Sequence, residues 1–165
     1  MIGPTVKELL LENQETFLIP ANNVANVMVE HPLDHCLLVL SKVGYSKIPV
    51  LDKEDHLVGL VSLTEVVEKM IDLKEINMAH LNGLAVADVM ETSVAVVTED
   101  WDLEEVLHLL VDLAFLPVVN EERVFKGIIT RKEILKAVNH MAHELERKNM
   151  LLPKASANLE KQKIG

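Results

Sequence analysis

The 165-residue chain is predicted to be an α/β protein built from two copies of one β-α-β-β-α unit, with an extra N-terminal helix and a long C-terminal helix. Two observations predict this class. Segments 45–67 and 113–135 align with each other without a gap, and strand-like runs alternate with helix-like apolar patterns in both halves. Hydrophobic residues make up 49% of the chain, which is enough for a globular core.

The internal repeat has a constant offset. YSKIPVLDKEDHLVGLVSLTEVV matches LAFLPVVNEERVFKGIITRKEIL, so Pro49 falls on Pro117 (117 − 49 = 68) and Gly59 on Gly127 (127 − 59 = 68). We expect the two glycines to allow close packing of strands. The chain therefore divides into an N-terminal helix (1–16), a first copy (17–72), a connector (73–84), a second copy (85–140) and the end of the C-terminal helix with a tail (141–165).

Each copy begins with a short β-branched stretch, NVMV or AVVT, and then an aspartate that predicts a helix N-cap. Asp34 precedes HCLLVLSKV, and Asp102 precedes LEEVLHLLVDL, in which apolar residues recur at helical spacing. Two strands follow, KIPVL with LVGLV and FLPVV with VFKGII, joined by the polar turns DKEDH and NEER. A second helix closes each copy. Before the repeat, Pro4 predicts the start of a helix that packs on the repeats.

Charge and composition exclude several classes of protein. A formal net charge of −10 argues against broad binding to nucleic acid or to anionic membranes. No apolar run approaches the roughly 18 residues of a transmembrane helix, and the N-terminus lacks the pattern of a signal peptide. The single cysteine, Cys36, is expected to be buried and unreactive, and it permits no intrachain disulfide. These features favour a cytoplasmic protein.

Residues 127–135, GIITRKEIL, place two cations at a predicted helix start. A helix N-terminus already carries partial positive charge, so Arg131 and Lys132 beside Thr130 indicate a bound anion. A hydroxyl, cations and helix amides together are the groups that a phosphate requires. The aligned segment GLVSLTEVV keeps the hydroxyl and the glutamate but has no cation. A competing interpretation is that both cations form only exposed ion pairs.

Catalytic motifs are absent from the sequence. It contains no P-loop, no G-x-S-x-G and no G-x-G-x-x-G. His140, His143 and Glu144 share one face of the last helix, but the metal-binding pattern HExxH is missing. We therefore expect a protein that is not an enzyme and has no cofactor or metal.

The segments DVM (88–90), KIPVLD, FLPVVN, GLVSLTE and GIITRKE resemble the CBS domain family, in two copies over about residues 17–140. The resemblance implies that the two CBS motifs pair into one pseudo-two-fold Bateman module, and that such modules form homodimers. FLIPANNVA, GYSKIPVLD and VFKGIITRKEILK are also similar to the small stand-alone CBS proteins of Gram-positive bacteria that bind cyclic di-AMP.

In CBS pairs each nucleotide cleft combines segments of both motifs. The resemblance implies one cleft formed by Asn23, Val24, Ala25, Lys47, Ile48 and Pro49 with Thr130, Arg131, Lys132 and Glu133. It implies a second cleft formed by Thr92, Ser93, Phe115, Leu116 and Pro117 with Ser62, Leu63, Thr64 and Glu65. We expect only the first to be occupied, because the turn in the second carries no cation. Glu133 stands where many relatives have a ribose-binding aspartate, and Lys132 replaces a frequent arginine.

Three functions remain open at this point. The first is a cyclic di-AMP receptor that regulates a partner, which the resemblance implies to be a (p)ppGpp synthetase/hydrolase or another metabolic enzyme. The second is an energy sensor that binds AMP, ADP or ATP in the same cleft. The third is an interaction scaffold that binds no ligand.

Overall fold

The computed structural model describes residues 2–12 and 16–147. Both predicted β-α-β-β-α copies are present, flanked by an N-terminal helix and by a C-terminal helix that extends to Arg147, which confirms the predicted fold. The predicted tail after Arg147 lies outside the described residues. The strands are β1 (Leu18–Pro20), β2 (Val27–Met28), β3 (Lys47–Leu51), β4 (Leu57–Ser62), β5 (Val97–Thr98), β6 (Phe115–Val119) and β7 (Phe125–Thr130). The helices are α1 (Pro4–Leu11), α2 (Leu33–Val43), α3 (Leu63–Met70), α4 (Leu103–Asp112) and α5 (Arg131–Arg147).

The two aspartates predicted to cap helices behave differently. Asp102 is the N-cap of α4, and its carboxylate accepts hydrogen bonds from the backbone N–H groups of Glu104 and Glu105. The prediction for Asp34 is wrong, because α2 begins one residue earlier, at Leu33, with Pro32 as its N-cap. Pro32 carries a backbone φ of −60° that the proline ring enforces, so the helix begins directly after it without a side-chain cap.

The sheets exchange their edge segments, which the sequence did not predict. Strand β1 lies at the start of the first copy in sequence but pairs antiparallel with β7 of the second, giving a sheet ordered β1-β7-β6-β5. The first copy forms a sheet ordered β2-β3-β4. Its edge is extended by Glu91, whose backbone exchanges hydrogen bonds of 2.8 and 2.9 Å with Leu60. Each copy therefore takes a segment of chain that the repeat boundaries assign to the other.

This exchange explains the two aligned glycines. A Cβ atom on Gly59 would lie 2.6 Å from the carbonyl oxygen of Glu91, and one on Gly127 would lie 2.1 Å from that of Ile19. Gly127 also has a φ of +147°, which residues with a side chain rarely adopt. The expectation of close strand packing at these two positions is confirmed.

The two copies meet on a pseudo-two-fold axis at their hairpins. The N–H of Leu57 donates to the carbonyl of Arg123 (3.0 Å), and the N–H of Phe125 donates to the carbonyl of Asp55 (2.9 Å). Each donor and each acceptor is 68 positions from its counterpart in the other copy (125 − 57 and 123 − 55). Apolar side chains from both copies form a shared core here, comprising Val24, Leu51, Leu57, Val119, Phe125 and Ile128.

The N-terminal helix packs on the repeats, as predicted, and the structure places it on the second copy. Leu10 is buried, and the Lys7 ammonium lies 2.9 Å from the Asp102 carboxylate at the start of α4. Phe17 is buried with its ring centroid 6.2 Å from that of Trp101. Among residues 2–12 and 16–147, no helix combines the length and apolar composition needed to span a bilayer.

Candidate functional site

A cavity of about 250 Å³ lies between the two copies, with walls that come from both. It contains eight of the ten residues predicted for the first cleft: Val24, Ala25, Lys47, Ile48, Pro49, Thr130, Lys132 and Glu133. The start of β3 supplies Lys47, Ile48 and Pro49, and the junction of β7 with α5 supplies Thr130 and its neighbours. The pseudo-two-fold axis brings these separate segments together.

Six further residues line this cavity that were not predicted for the first cleft: Ile19, Tyr45, Ser46, Ala114, Phe115 and Ile128. Ile19 is present because β1 joins the sheet of the second copy, where it pairs with Ile128. Phe115 was assigned to the second cleft, but the segment before Pro117 borders both cavities. Ser46 and Ala114 align with each other (114 − 46 = 68), and each directly precedes a residue that was predicted to line a cleft, Lys47 or Phe115. That shared position was a signal that could have identified both.

Two predicted residues, Asn23 and Arg131, lie outside the cavity wall. Asn23 is exposed at the end of the 3₁₀ turn Ala21–Asn23. The guanidinium of Arg131 donates hydrogen bonds to the backbone carbonyls of Leu110 (2.8 Å), Val111 (3.1 Å) and Leu113 (2.9 Å). Neither side chain lines the cavity, so the structure does not support the prediction that these two residues contact a ligand.

The cations of the cavity wall are Lys47 and Lys132. The Lys47 ammonium lies 2.5 Å from the carboxylate of Glu91, which lies outside this wall. Glu133 is half-buried and pairs with Lys136 at 2.6 Å, while its backbone N–H donates to the Thr130 hydroxyl at 3.2 Å. The wall therefore combines the N-terminus of α5 and two ammonium groups with an apolar surface, an arrangement that suits an anionic ligand with an aromatic base.

The CBS domain model matches residues 18–72 and 86–140, one match in each copy. The chain belongs to the CBS domain family. It is 33% identical to the cyclic di-AMP receptor B of Bacillus subtilis over 147 residues, which cover 89% of this chain and all of the receptor.

Solved structures of similar proteins include two CbpB proteins. That of Streptococcus agalactiae is 31% identical, with a TM-score of 0.80 over 93% of this chain and 96% of CbpB. That of Listeria monocytogenes, determined in complex with c-di-AMP, is 42% identical, with a TM-score of 0.74 over 79% of this chain and 97% of CbpB. The predicted resemblance to the small cyclic di-AMP-binding CBS proteins is confirmed.

The second cavity of this CBS pair, about 350 Å³, has a different electrostatic character. Ser93, Phe115 and Pro117 line it as predicted, but the wall also carries the carboxylates of Glu91 and Asp112. The Ser62 turn does not reach it. Ser62 and Glu65 instead form a capping box at the start of α3, in which each side chain accepts a hydrogen bond from the other residue's backbone N–H. Lys47 also lines this cavity, but the two carboxylates outnumber its single ammonium, so the wall disfavours phosphate.

Among the described residues, one group of three side chains in this CBS pair lies within metal-binding reach: Asp52, Glu54 and His56 in the first hairpin. Burial tends to raise the pKa of Asp52, but hydrogen bonds from the backbone and ring of His56 and from the backbone of Glu54 outweigh this effect and hold it below its usual value. At the aligned position, Asn120 accepts the same pattern of backbone bonds from Glu122 and Val124. Because an amide also closes this turn, the carboxylate of Asp52 has a structural role there.

Proposed function

We propose that this CBS pair is a non-catalytic receptor that binds cyclic di-AMP in the first cleft and regulates a protein partner according to occupancy. The observation that carries the proposal is the meeting of Lys47 and Lys132 with the N-terminus of α5 in one cavity between the motifs. The similarity to a cyclic di-AMP receptor and to a CbpB protein solved with c-di-AMP supports the identity of the ligand.

The wall provides a separate surface for each part of the ligand. Ile19, Ile48 and Ile128 provide apolar contacts for an adenine, and Ala25 leaves space beside them. Backbone N–H and C=O groups near Ala25 and Lys47 are suited to the hydrogen-bonding edge of the base. Lys132 and the first amides of α5 bind the phosphate in this proposal.

Ribose binding is assigned to Thr130 and Glu133. Both side chains line the cavity, and the Glu133 carboxylate is held by Lys136 rather than by the backbone. This differs from the aligned Glu65, whose carboxylate accepts a hydrogen bond from the Ser62 backbone at 2.7 Å. Only the glutamate of the first cleft is therefore available to a sugar hydroxyl.

The volume of the cavity bears on how the ligand is enclosed. At about 250 Å³ it is slightly smaller than typical ligand cavities, which are roughly 300–1,000 Å³. It accommodates one nucleotide half of a cyclic dinucleotide and leaves the other half outside. A mononucleotide such as AMP also fits this volume, so an adenine-nucleotide sensor is the second candidate function.

A homodimer is part of the proposal. Large apolar side chains remain exposed on four helices that surround the sheets: Leu38 on α2, Leu63 on α3, Val111 on α4 and Leu135 on α5. Pairing of two copies through these helices would remove apolar surface from water. Light scattering coupled to gel filtration tests this, because a monomer at micromolar concentration would contradict it.

Calorimetric titration of the protein with cyclic di-AMP, cyclic di-GMP, AMP and ATP tests the ligand. We expect binding of cyclic di-AMP in preference to the other three, and loss of about tenfold in affinity in Lys132→Met, since one charge-assisted phosphate contact is removed. Lys126→Met is the matched control, because Lys126 lies on β7 outside the cavity wall. Binding of AMP or ATP without cyclic di-AMP would establish the second candidate, and silence with all four would favour a scaffold.

The partner and the cellular location remain parts of the proposal that rest on resemblance. A (p)ppGpp synthetase/hydrolase or another metabolic enzyme is the proposed target, and the proposed location is the cytoplasm. If ligand and partner prefer different states of the receptor, each must weaken the binding of the other by the same factor. Titration of the enzyme with ligand-free and ligand-saturated protein measures that factor, and equal affinities would exclude regulation by occupancy.

A further inference from the structure

The two copies end the helix before the cleft in different ways. Helix α2 ends at Val43 and is followed by Gly44, whose φ of +69° makes the left-handed cap that commonly ends helices. The aligned position in the second copy is Asp112 (112 − 44 = 68), which remains helical. Helix α4 is therefore followed by Leu113 in an extended conformation (φ −96°, ψ 142°), without a left-handed residue. The last carbonyls of α4 need partners from elsewhere.

Arg131 supplies these partners. Its Nε–H donates to Leu110, and its Nη2 donates to both Val111 and Leu113. Its backbone N–H donates to Ala114 at 2.9 Å. One residue thus satisfies four carbonyls around the end of α4. In the first copy the aligned residue is Leu63 (131 − 63 = 68), whose backbone N–H donates to Ser46 but whose side chain has no donor.

The chemistry of the guanidinium fits this role better than that of an ammonium. Its N–H donors lie in one rigid plane and can meet several carbonyls at once, whereas lysine has a single nitrogen on a flexible stem. A cation at the C-terminus of a helix is also favoured by the helix dipole. Directly beside the bonded carbonyls, Ala114 and Phe115 form part of the cavity wall, and Lys132 follows Arg131 on α5.

We infer that Arg131 is a positioning residue: by capping α4 it holds the Ala114–Phe115 wall and Lys132 in place, and it does not contact the ligand. The part that concerns the ligand rests on the proposed function. The capping itself does not, and it can be tested in the free protein.

Charge-preserving and charge-removing variants distinguish the two roles. If Arg131 positions the wall, Arg131→Lys and Arg131→Met should both lower the melting temperature by roughly 3 °C. Both should also weaken cyclic di-AMP binding by a similar factor, about three- to tenfold. If Arg131 instead contacts phosphate, Arg131→Lys should keep most of the affinity that Arg131→Met loses. That result would overturn the inference.

A second-site rescue gives the sharper test. Asp112→Gly creates in α4 the glycine that α2 has at Gly44, so it should restore both the melting temperature and the affinity of Arg131→Met. Asp112→Ala in the same Arg131→Met background is the matched control, because it removes the same charge but alanine, unlike glycine, disfavours the left-handed conformation. Equal behaviour of the two double variants would overturn the inference.

Nuclear magnetic resonance reports on the guanidinium directly. The Nε–H signal of Arg131 should be visible in the free protein, absent from Arg131→Lys, and unmoved when cyclic di-AMP is added. A large shift of this signal on saturation would show a phosphate contact and overturn the inference. If the wild-type protein binds no cyclic di-AMP, the proposed function fails. Whether Arg131 positions the wall is still decided in the free protein by three measurements. These are the melting temperatures, the glycine rescue and the amide signals of Ala114 and Phe115.

Discussion

The ammonium of Lys47 lies 2.5 Å from the carboxylate of Glu91, on the boundary between an anion-suited cavity and an acidic one. Lys47 lines both cavities, whereas Glu91 lines only the second. Glu91 is held there by the two backbone hydrogen bonds with Leu60 that add its segment to the first sheet. The exchanged edge segment therefore places a carboxylate that would compete for Lys47 with the phosphate of the proposed ligand.

Substitution of this anion should strengthen ligand binding. In Glu91→Gln the ammonium of Lys47 is released toward the first cavity, and one nearby negative charge is lost. Because the pair is partly exposed and such pairs contribute about 0.2–1 kcal/mol, we expect cyclic di-AMP affinity to rise about two- to fivefold by calorimetry. Glu54→Gln, which removes an exposed carboxylate from the hairpin turn, should leave the affinity unchanged. Weaker binding in Glu91→Gln would mean that the pair organises the site rather than competing for it.

The glycines differ in what a methyl group would meet. Gly127→Ala places a Cβ 2.1 Å from the Ile19 carbonyl at a φ of +147°, so β1 must move away from β7 and expose Phe17. We expect a loss of more than about 3 kcal/mol in the free energy of unfolding, measured with urea. Gly44→Ala is the control, since its φ of +69° is strained but the space is open, and it should cost only about 1 kcal/mol. Equal losses would indicate that β1 does not pair tightly with β7.

The two aspartates near helix starts provide a matched pair for capping. Asp102→Ala removes the N-cap of α4 and the partner of Lys7, so the melting temperature should fall by roughly 2–4 °C. Asp34→Ala should change it little, because within residues 2–12 and 16–147 that carboxylate accepts a hydrogen bond only from the backbone of the adjacent His35. A fall of equal size in Asp34→Ala would contradict the assignment of Pro32 as the N-cap of α2.

The carboxylate of Asp102 predicts how the free energy of unfolding depends on pH in acid. The Lys7 hydrogen bond, with the Glu104 N–H, holds the pKa of Asp102 below its ordinary value of 3.8. Because this pKa is lower in the folded state, the carboxylate contributes fully to stability above its pKa in the unfolded chain. The contribution is lost as the pH falls through the pKa of the folded state. Urea unfolding between pH 5 and pH 3 should therefore show a shallower loss of stability in Asp102→Asn than in the wild type. Parallel curves would contradict the prediction.

The thiol of Cys36 predicts the opposite behaviour in alkali. Desolvation of the thiol in the hydrophobic core of the first copy raises its pKa from 9.0 to about 11. As the pH rises, the thiol ionises first in the unfolded chain. The contribution of the neutral, buried thiol to the free energy of unfolding is therefore complete below about pH 9 and is lost as the pH rises toward 11. At pH 8 a thiol reagent should label the native protein far more slowly than the unfolded protein, and Cys36→Ser should remove the label. Equal labelling rates would show that Cys36 is accessible.

The local structure of this protein was largely readable from its sequence. Strands β3 and β6 begin and end where predicted, because their apolar runs are bounded by polar turns. The capping of α4 by Asp102 was readable for the same local reason, since an N-cap bonds only to its own first turn. The prediction for Asp34 failed because Pro32, two positions earlier, is the N-cap, so α2 already begins at Leu33.

The direction of long side chains was not readable. Arg131 and Lys132 are adjacent cations, but one reaches back to α4 and the other lines the cavity. Which of the two faces the cleft depends on where the carbonyls of α4 end relative to α5, and the sequence contains no local signal of that distance.

The sequence by itself determined that this chain contains two copies of one β-α-β-β-α unit, because a 68-residue offset and helical or alternating apolar periods can be read without tertiary contacts. The family followed from the resemblance of short segments such as KIPVLD and GIITRKE to CBS motifs. The sequence also determined that one junction carries the cations and its twin does not. Only the tertiary structure decided that each sheet takes its edge from the other copy, that Glu91 pairs with Lys47, and that Arg131 caps a helix. Those contacts join segments tens of residues apart, and they form only because the two sheets pack about a common axis that no short stretch of sequence specifies.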